Sequence, residues 1–447
     1  MLLVCGRDHR CGPAIGNGRD GTAALQAPDL RTDHARTRFV SQTADPNPAD
    51  AHPEEPLYDV AVVGAGAVGL AAALALARDG LRTALVGRHA PVADGRTVAL
   101  LDGSVRLLRA LGAWEALEPQ AAPLAEMHLI DDTGSLFRPP PARFVAREIG
   151  LDAFGWNIEN ARLVEALRAR ARAIPDLTLV ERDAAGRTLA EDCAVLALEG
   201  GGHVAARLVV AADGGGSPLR EAAGLTVRRW TYPQKALTTI LAHTRDHREV
   251  STEFHTREGP FTLVPLPGGR RSSLVWVSAE ARAERLAALD DAALAAAIER
   301  QAQSMLGAMR IDGPRGLVPM RGLSVPRPVG PRLALVGEAA HVFPPIGAQG
   351  LNLGLRDAAA LRDAVAGARD AGAESVLSGF ARSRALDARL RTGAVDTLNR
   401  SLLTAFLPSD LARGAGLLAL STIAPLRRLV MREGITPRLG TPTLMRG

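Results

Sequence analysis

Residues 333–357 read LALVGEAAHVFPPIGAQGLNLGLRD, and this stretch decides the fold more than any other. An apolar run of strand length ends at Gly337-Glu338, and a His-x-x-Pro-Pro turn follows it. Gly347 and Gly350 then lead into a predicted helix that begins near Leu351-Asn352. Such a helix start presents unpaired backbone N–H groups and the positive end of a dipole. Glycines there let a flat, electron-rich ligand approach the backbone, so the segment predicts a ligand-binding turn.

A second glycine-rich turn lies far upstream, directly after the apolar run of residues 58–63. It reads Gly64-Ala65-Gly66-Ala67-Val68-Gly69, and an Ala/Leu-rich helix and a second strand at 82–86 follow it. This order of strand, turn, helix and strand is the context that confirms a G-x-G-x-x-G fingerprint. The glycines permit a tight turn, close approach to a pyrophosphate and close helix–strand packing. The segment therefore predicts a dinucleotide site.

A third candidate contact stands between these two turns. The apolar strand 208–212 ends in Asp213-Gly214, and Ser217 and Arg220 follow shortly after. By itself, an Asp-Gly pair after a strand indicates only a turn. Its position between the other two motifs favours a role in binding.

Together the three motifs resemble the FAD site of the group A flavoprotein monooxygenases, and the resemblance covers roughly residues 57–435. The 337–352 segment is similar to the family's second FAD motif, Gly-Asp-Ala-Ala-His…Pro…Gly-x-Gly-x-Asn, with Glu338 where most members carry Asp. Asp213-Gly214 matches a motif that serves both FAD and NAD(P)H. Arg96 matches an arginine that faces the FAD phosphates.

A narrower resemblance, carried mainly by residues 230–276 with the run 349–357, is to the ubiquinone-biosynthesis hydroxylases of the UbiH/UbiF type. It implies non-covalent FAD, NAD(P)H as a transient reductant, and hydroxylation of the aromatic ring of a polyprenyl phenol by O₂ through a flavin C4a-hydroperoxide. The hard chemistry then belongs to the cofactor, and no residue of the sequence stands out as a substrate base, so the catalytic side chains stay unassigned. The predicted FAD contacts are Gly64, Gly66, Val68, Gly69, Arg88, Arg96, Asp213, Gly214, Gly337, Glu338, Gly347, Gly350, Leu351 and Asn352.

The acidic residue expected after the second strand is missing, because position 87 is glycine and Arg88 follows it. This predicts weaker FAD binding, a substitute ribose contact from Arg88, or a 2′-phosphate on the ligand, and the flavin-type motif at 337–352 argues against the last. We expect Gly87→Glu to be tolerated and to tighten FAD binding. Two other functions stay open: hydroxylation of a small soluble phenol, and a non-catalytic flavin-fold subunit of a biosynthetic complex.

The order of elements predicts an α/β protein: a Rossmann-like FAD-binding domain of the p-hydroxybenzoate-hydroxylase type, an inserted, mostly antiparallel substrate sheet and a C-terminal helical segment. A single amphipathic helix is predicted over 286–309, and a helix over 162–172 with Asn160 as its cap. The predicted domains are a discontinuous FAD domain at 57–122, 156–225 and 331–365, a substrate sheet at 123–155 and 226–330, and C-terminal helices at 366–447.

Composition restricts the partners of this chain of 447 residues. Its formal net charge of +5 permits attraction to anionic lipid surfaces. Aromatic residues make up only 3%, and no basic block argues for nucleic acid. Three cysteines without a paired framework fit a reducing cytoplasm. Residues 1–56 show no periodicity and predict a disordered tail, and no apolar run is long enough to span a membrane.

The C-terminal segment 402–431 is the candidate for contact with a membrane or a protein complex, and we expect a cytoplasmic protein peripheral to the inner membrane. The alternative is a helix that packs on the domain. The segment combines apolar and basic residues in the way of a surface-docking helix: Leu402, Leu403, Phe406, Leu407, Leu417, Leu418 and Leu420 beside Arg413, Arg427 and Arg428.

Three histidines are candidates for chemistry. His243 and His247 lie in an extended context, where residues four apart are separated by ~13 Å and cannot share one ion. We therefore predict no metal site. His341 lies in the flavin turn, where a structural hydrogen bond explains it as well as proton transfer does, and we assign it no catalytic role.

Overall fold

The computed structural model describes residues 57–89, 95–135, 139–344, 348–385, 387, 407–435 and 440–446. The predicted tail at 1–56 and the predicted FAD contact Gly347 lie outside these residues. The strands, in chain order, are β1 (Tyr58–Val63), β2 (Thr83–Val86), β3 (Thr97–Leu101), β4 (Ala122–Pro123), β5 (Glu126–Asp131), β6 (Ala142–Val145), β7 (Gly155–Glu159), β8 (Leu177–Val180), β9 (Ala184–Leu189), β10 (Ala194–Leu198), β11 (His203–Ala211), β12 (Arg228–His243), β13 (Val250–Thr256), β14 (Gly259–Leu266), β15 (Arg271–Ala279), β16 (Met309–Ile311), β17 (Gly316–Ser324), β18 (Val329–Gly330), β19 (Leu333–Leu335) and β20 (His341–Val342). The helices are α1 (Ala67–Ala77), α2 (Asp102–Ala110), α3 (Trp114–Leu117), α4 (Asn160–Arg172), α5 (Pro218–Ala222), α6 (Glu280–Ala287), α7 (Asp291–Gln301), α8 (Gln349–Val365), α9 (374–385), α10 (Leu407–Thr422) and α11 (Ala424–Ile435).

The first sheet carries the glycine-rich turns. Its strands lie in the order β18-β19-β11-β1-β2-β8, with β10 and β9 beside β11. From β19 to β8 the neighbours on this path run parallel. Val60 and Val62 of β1 face the core formed with α1, α4 and α8, while Ala61 and Val63 face a second core that includes β10. A strand buried on both faces needs a continuous apolar run, which is typical of parallel sheets.

The second sheet is mostly antiparallel, in the order β20-β17-β12-β15-β14-β13-β5-β6, with β16 beside β12. One pair, β13 with β5, is parallel. A small third sheet has the order β3-β7-β4. The predicted α/β class with an inserted, mostly antiparallel sheet and C-terminal helices is confirmed, while the domain boundaries stay a prediction.

Two helix predictions are wrong in detail. The helix predicted over 286–309 is two helices, α6 and α7, because the Asp290 side chain accepts the Ala293 N–H at 2.7 Å and starts a new helix. The chain leaves α7 after Gln301. Helix α4 begins at Asn160 itself, with Glu159 as the residue before it and no side-chain cap.

Candidate functional site

Three turns meet at one edge of the first sheet. We call them the GxGxxG turn (64–69, after β1), the Asp-Gly turn (213–214, after β11) and the Gly-Glu turn (337–338, after β19). Since β1, β11 and β19 are neighbouring parallel strands paired in register to their last residues, their turns lie side by side. The carboxyl ends of parallel strands are where open α/β sheets bind ligands.

Some glycines of these turns are required by the packing of the protein itself. A Cβ at Gly64 would lie 2.3 Å from the carbonyl oxygen of Ala212, and one at Gly69 would lie 1.9 Å from the oxygen of Gly64. No side chain fits at either position. Both residues therefore hold the GxGxxG turn against the Asp-Gly turn, whatever they contribute to a ligand.

Val68 spaces the GxGxxG turn from the Gly-Glu turn and from α8. A Cβ at Gly354 would lie 2.7 Å from Val68 Cγ2, and one at Gly337 would lie 3.1 Å from Cγ1. By contrast, a Cβ at Gly66, Gly214 or Gly350 would meet nothing within 4 Å. These three glycines therefore border open space where a ligand can approach the backbone.

Asp213 offers a buried acceptor. Its Oδ2 accepts the Leu219 N–H at 3.4 Å, whereas its Oδ1 is buried without a hydrogen-bond partner among the described residues. Burial raises the pKa of Asp213, although hydrogen bonds from Ser217 and from the backbone act the other way. A buried polar atom without a partner is uncommon. An acceptor at this position suits a hydroxyl group of a ligand.

Arg220 joins the Asp-Gly turn to the Gly-Glu turn. Its fully buried guanidinium donates to the carbonyl oxygens of Ala339 at 3.1 Å and Gly215 at 3.0 Å. Ser217 caps α5 by accepting the Arg220 N–H. Glu338 is exposed, and its carboxylate is close to Gly215, where an added Cβ would lie 3.8 Å from Oε2. The carboxylate at position 338 therefore lies beside the Asp-Gly turn.

The Asn352 side chain is fully used by the protein. Its Nδ2 donates to the carbonyl oxygens of Ala99 at 2.7 Å and Ala348 at 2.6 Å. Its Oδ1 accepts from the Leu101 N–H and the Ser104 hydroxyl. The amide group thus fixes the start of α8 to β3 and α2. Arg96 directly precedes β3 and is exposed, and Leu351 is half-buried in the first turn of α8, which begins two residues before the predicted start.

Arg88 has carboxylate partners on the protein itself. Its Nε lies 2.9 Å from Asp183 Oδ2, and its Nη2 contacts Glu199. The expectation that Gly87→Glu is tolerated is wrong, because φ is +153° at Gly87 and an added Cβ would lie 3.0 Å from the Ala65 nitrogen. Backbone conformation, and not the absence of a ribose contact, explains glycine at this position.

A crevice beside Gly87 contains a different carboxylate. Ala65 of the GxGxxG turn and Gly87 line it together with Arg168 and Glu181. Glu181 directly follows β8, whose last residue is paired with the last residue of β2. Its carboxylate forms an ion pair with Arg168, whose side chain is 12% exposed. An acidic residue, missing after β2, is therefore present directly after the adjacent strand β8.

An ion-pair cluster that the sequence analysis missed supports the Gly-Glu turn. Asp357 Oδ2 accepts from the Gly337 N–H at 3.0 Å and from His341 Nε2 at 2.5 Å, and Oδ1 accepts from Arg384 Nε at 2.8 Å. Burial alone would raise the pKa of Asp357, but the charges of His341 and Arg384 outweigh it and hold the pKa below its usual value. His341 thus has the structural hydrogen bond that we considered.

His243 and His247 are closer than predicted, because β12 ends at His243 and the chain turns. Their ring centroids are 6.0 Å apart. Each ring nitrogen has a partner: Arg245 O and Ser272 Oγ for His243, and Leu266 O and the Glu249 N–H for His247. The part of the chain that the structure describes contains no group of three residues suited to hold a metal. These histidines are structural.

We expect Asp357→Asn to lower the free energy of unfolding by roughly 3 kcal/mol at pH 7, because it removes the carboxylate partner of the buried Arg384 guanidinium and the His341 ring. The folded pKa of Asp357 lies below its unfolded value of about 3.9, so its stabilisation is present above ~pH 4 and is lost as the pH falls through the folded pKa. Urea unfolding of both proteins across this range measures the difference. Asp291→Asn, which removes an exposed partner of Arg315, is the control, and a difference that stays constant with pH contradicts the prediction.

Known proteins share this sequence and fold. Residues 57–390 match the family model described as FAD binding domain. Ubiquinone hydroxylase UbiL of Rhodospirillum rubrum is 35% identical over 405 residues, covering 87% of this chain and 92% of that protein. The 3-demethoxyubiquinol 3-hydroxylase of Escherichia coli is 31% identical over 391 residues, covering 84% and 98%. The structure of p-nitrophenol 4-monooxygenase PnpA from Pseudomonas putida shares the fold, with a TM-score of 0.70 at 19% identity over 86% of this chain and 99% of that one.

The residues present fit FAD. The unpartnered Oδ1 of Asp213 suits a ligand hydroxyl, and the open faces of Gly66 and Gly350 leave the backbone accessible to a pyrophosphate and a flat ring. The family model includes the GxGxxG turn, the Asp-Gly turn and the Gly-Glu turn in one match. The chain therefore belongs to the FAD binding domain family and is an FAD-dependent monooxygenase.

Proposed function

We propose that the protein hydroxylates the aromatic ring of a polyprenyl phenol or quinone intermediate in ubiquinone biosynthesis, with NAD(P)H and O₂ as co-substrates. The observation that carries the proposal is the match over more than nine-tenths of a relative named ubiquinone hydroxylase and of another named 3-demethoxyubiquinol 3-hydroxylase. Bound FAD supplies the electron transfer from NAD(P)H and the activation of O₂. The chain supplies binding, orientation and exclusion of water.

Each turn has its own part in this proposal. Gly64 and Gly66 let the backbone approach the pyrophosphate. Asp213 Oδ1 would accept a ribityl hydroxyl group. The first turn of α8, which contains Gly350 and Leu351, would offer backbone N–H groups to the pyrimidine edge of the flavin and stabilise negative charge there.

The proposal needs a dry apolar wall for the substrate, and the second sheet is our candidate for it. Tyr232, Ala236, Val277 and Met320 form a buried apolar cluster on β12, β15 and β17. The one hydroxyl group in this cluster is satisfied, since Trp230 Nε1 donates to Tyr232 Oη at 2.7 Å. Such a surface excludes water from reactive oxygen chemistry.

Asp213→Ala and Gly350→Val should each lower the FAD content of the purified protein, the first by removing an acceptor and the second by placing bulk against the ring. The visible absorbance ratio of flavin to protein measures occupancy. Gly186→Val on β9 is the control, because an added Cβ there meets nothing within 4 Å and the position is remote in the chain from all three turns. A wild type that stays colourless at micromolar FAD rejects the proposed site.

Glu181 should supply the acceptor for the adenosine ribose that position 87 lacks. Glu181→Gln should then weaken FAD binding to the apoprotein by about tenfold, the value expected for one charge-assisted hydrogen bond. Binding of FMN, which has no adenosine half, should be unchanged. Glu199→Gln, which loses only the contact with Arg88, is the matched control. Equal losses for FAD and FMN mean that the variant disturbs the fold and that Glu181 has no ribose contact.

We also propose that the protein is cytoplasmic and docks on the inner membrane through α11. Among the described helices no single one is long and apolar enough to cross a membrane, although 414–422 and 424–435, which meet at 103°, pass the same test as a bent pair. The docking residues differ from those expected, because Leu417 is buried and Leu420 packs beside it. Leu402, Leu403 and Phe406 lie outside the described residues, as do the side chains of Leu407 and Arg413. In and just before α11, the exposed large apolar residues are Ile423, Leu426, Leu429 and Val430.

The charged residues around these four exposed apolar residues support a lipid surface as their partner. Arg428 is 52% exposed, with its Nε 3.8 Å from the Glu148 carboxylate, and Arg432 is exposed on the same helix, so cations border the apolar residues. Arg427 has a structural part instead, because its guanidinium bonds the Glu148 carboxylate at 2.9 Å. That ion pair orients α11 on the domain.

One experiment in cells tests both proposals. A strain without this gene should accumulate a polyprenyl intermediate that lacks one ring hydroxyl group, and the wild-type gene should restore ubiquinone. The double variant Leu429→Glu, Val430→Glu should restore less, because carboxylates resist burial in lipid, while NAD(P)H oxidation by the purified protein stays unchanged. Mass spectrometry of extracted quinones measures the result.

The control is Leu189→Glu, an exposed apolar residue of β9. Normal ubiquinone in the deletion strain rejects the proposed function. Full restoration of ubiquinone by the double variant rejects docking through α11. Loss of FAD from the purified double variant also rejects it, because α11 is then only a structural part of the fold.

A further inference from the structure

A cavity separate from the open glycines lies between the segment 324–328, α9 and the Asp357 cluster. Its volume is about 230 Å³. This is below the roughly 300 Å³ at which sites for drug-sized ligands begin, so an occupant has to be small. Polar residues line much of it, namely Arg228, Ser324, His341, Asp357 and Arg384.

Two nitrogens of this wall are buried without partners. Arg384 uses Nε for Asp357 and Nη1 for Asp387, which leaves Nη2 with none among the described residues. His341 uses Nε2 for Asp357, which leaves Nδ1 with none. Both side chains are more than nine-tenths buried. Leaving a buried donor unsatisfied costs its full desolvation penalty, so Arg384 Nη2 requires an occupant with an acceptor. His341 Nδ1 is an acceptor when Nε2 alone carries the ring proton.

The charge of the wall selects the occupant. Arg228 makes no ion pair among the described residues and reaches the cavity from the start of β12. With Arg384 it gives two guanidinium groups, whereas Asp357 is the acidic group of the wall. A guanidinium presents its donors in a planar fork that matches the oxygens of carboxylates and phosphates.

We propose that this cavity binds a small oxyanion, a carboxylate or a phosphate, through Arg228 and Arg384 Nη2. Water alone would satisfy single donors but would leave Arg228 without a counter-charge among the described residues. The occupant contacts Arg384, which holds Asp357, and Asp357 accepts the Gly337 N–H. The site therefore lies directly behind the Gly-Glu turn of the FAD domain without being part of the flavin contacts proposed above.

The test is titration of the FAD-loaded protein with inorganic phosphate, and separately with acetate, by calorimetry at constant ionic strength set with chloride. We expect saturable binding of at least one of the two anions, and their order of affinity tells a phosphate site from a carboxylate site. Arg228→Gln should weaken that binding by about tenfold, and Arg228→Glu should abolish it. Neither variant touches the buried cluster, so both should fold.

Arg229→Gln is the matched control, since Arg229 is the next residue of β12, is exposed, and pairs with Glu221 away from the cavity wall. It should bind as the wild type does. Two results overturn the proposal: no saturable binding of either anion to the wild type, which means that the cavity holds only water, and binding that Arg228→Glu leaves unchanged, which places the anion elsewhere.

Discussion

The site depends on how closely the GxGxxG turn approaches the Asp-Gly turn. The backbone of Gly64 lies so near Ala212 that there is no room for a single carbon atom between them. That approach fixes the start of α1, and through Val68 it fixes the distance to Gly337 and Gly354. One valine thus sets the spacing of a turn and of a second helix. Because protein interiors are packed to crystal density, such spacing cannot drift without moving all three segments.

Most of what positions the cofactor could be predicted from sequence, because it is local. Each turn follows an apolar strand, and each carries its own glycine or aspartate within a few residues of the strand end. The carboxyl ends of parallel strands meet at one edge of a sheet, so turns that follow such strands lie along the same edge. Even the break at Asp290 has a local signal, an N-cap aspartate, which the hydrophobic periodicity around it concealed.

The parts that were missed or wrong depend on partners distant in the chain. Nothing near Asp357 indicates that Arg384 completes its cluster, and nothing near Arg88 indicates Asp183 and Glu199. The two histidines at the end of β12 were misjudged because a turn, and not a continuing strand, separates them. At Gly87 a positive φ decides the residue type, and composition does not reveal it. Tertiary structure assigns these side chains, so local patterns cannot.

Asn352 has a consequence for how the protein is made. Its side chain fastens α8 to Ala99, a residue 253 positions earlier. Strand β19 joins the first sheet beside β11 only after β12 to β17, most of the second sheet, have been inserted between them. During synthesis the edge of β11 that pairs with β19 therefore stays unpaired until this late segment leaves the ribosome. Chains whose sheets are completed by contacts between residues far apart in sequence fold slowly, and they expose apolar surface until those contacts form. The segment from β19 to α8 thus completes the first sheet late in the synthesis of the chain.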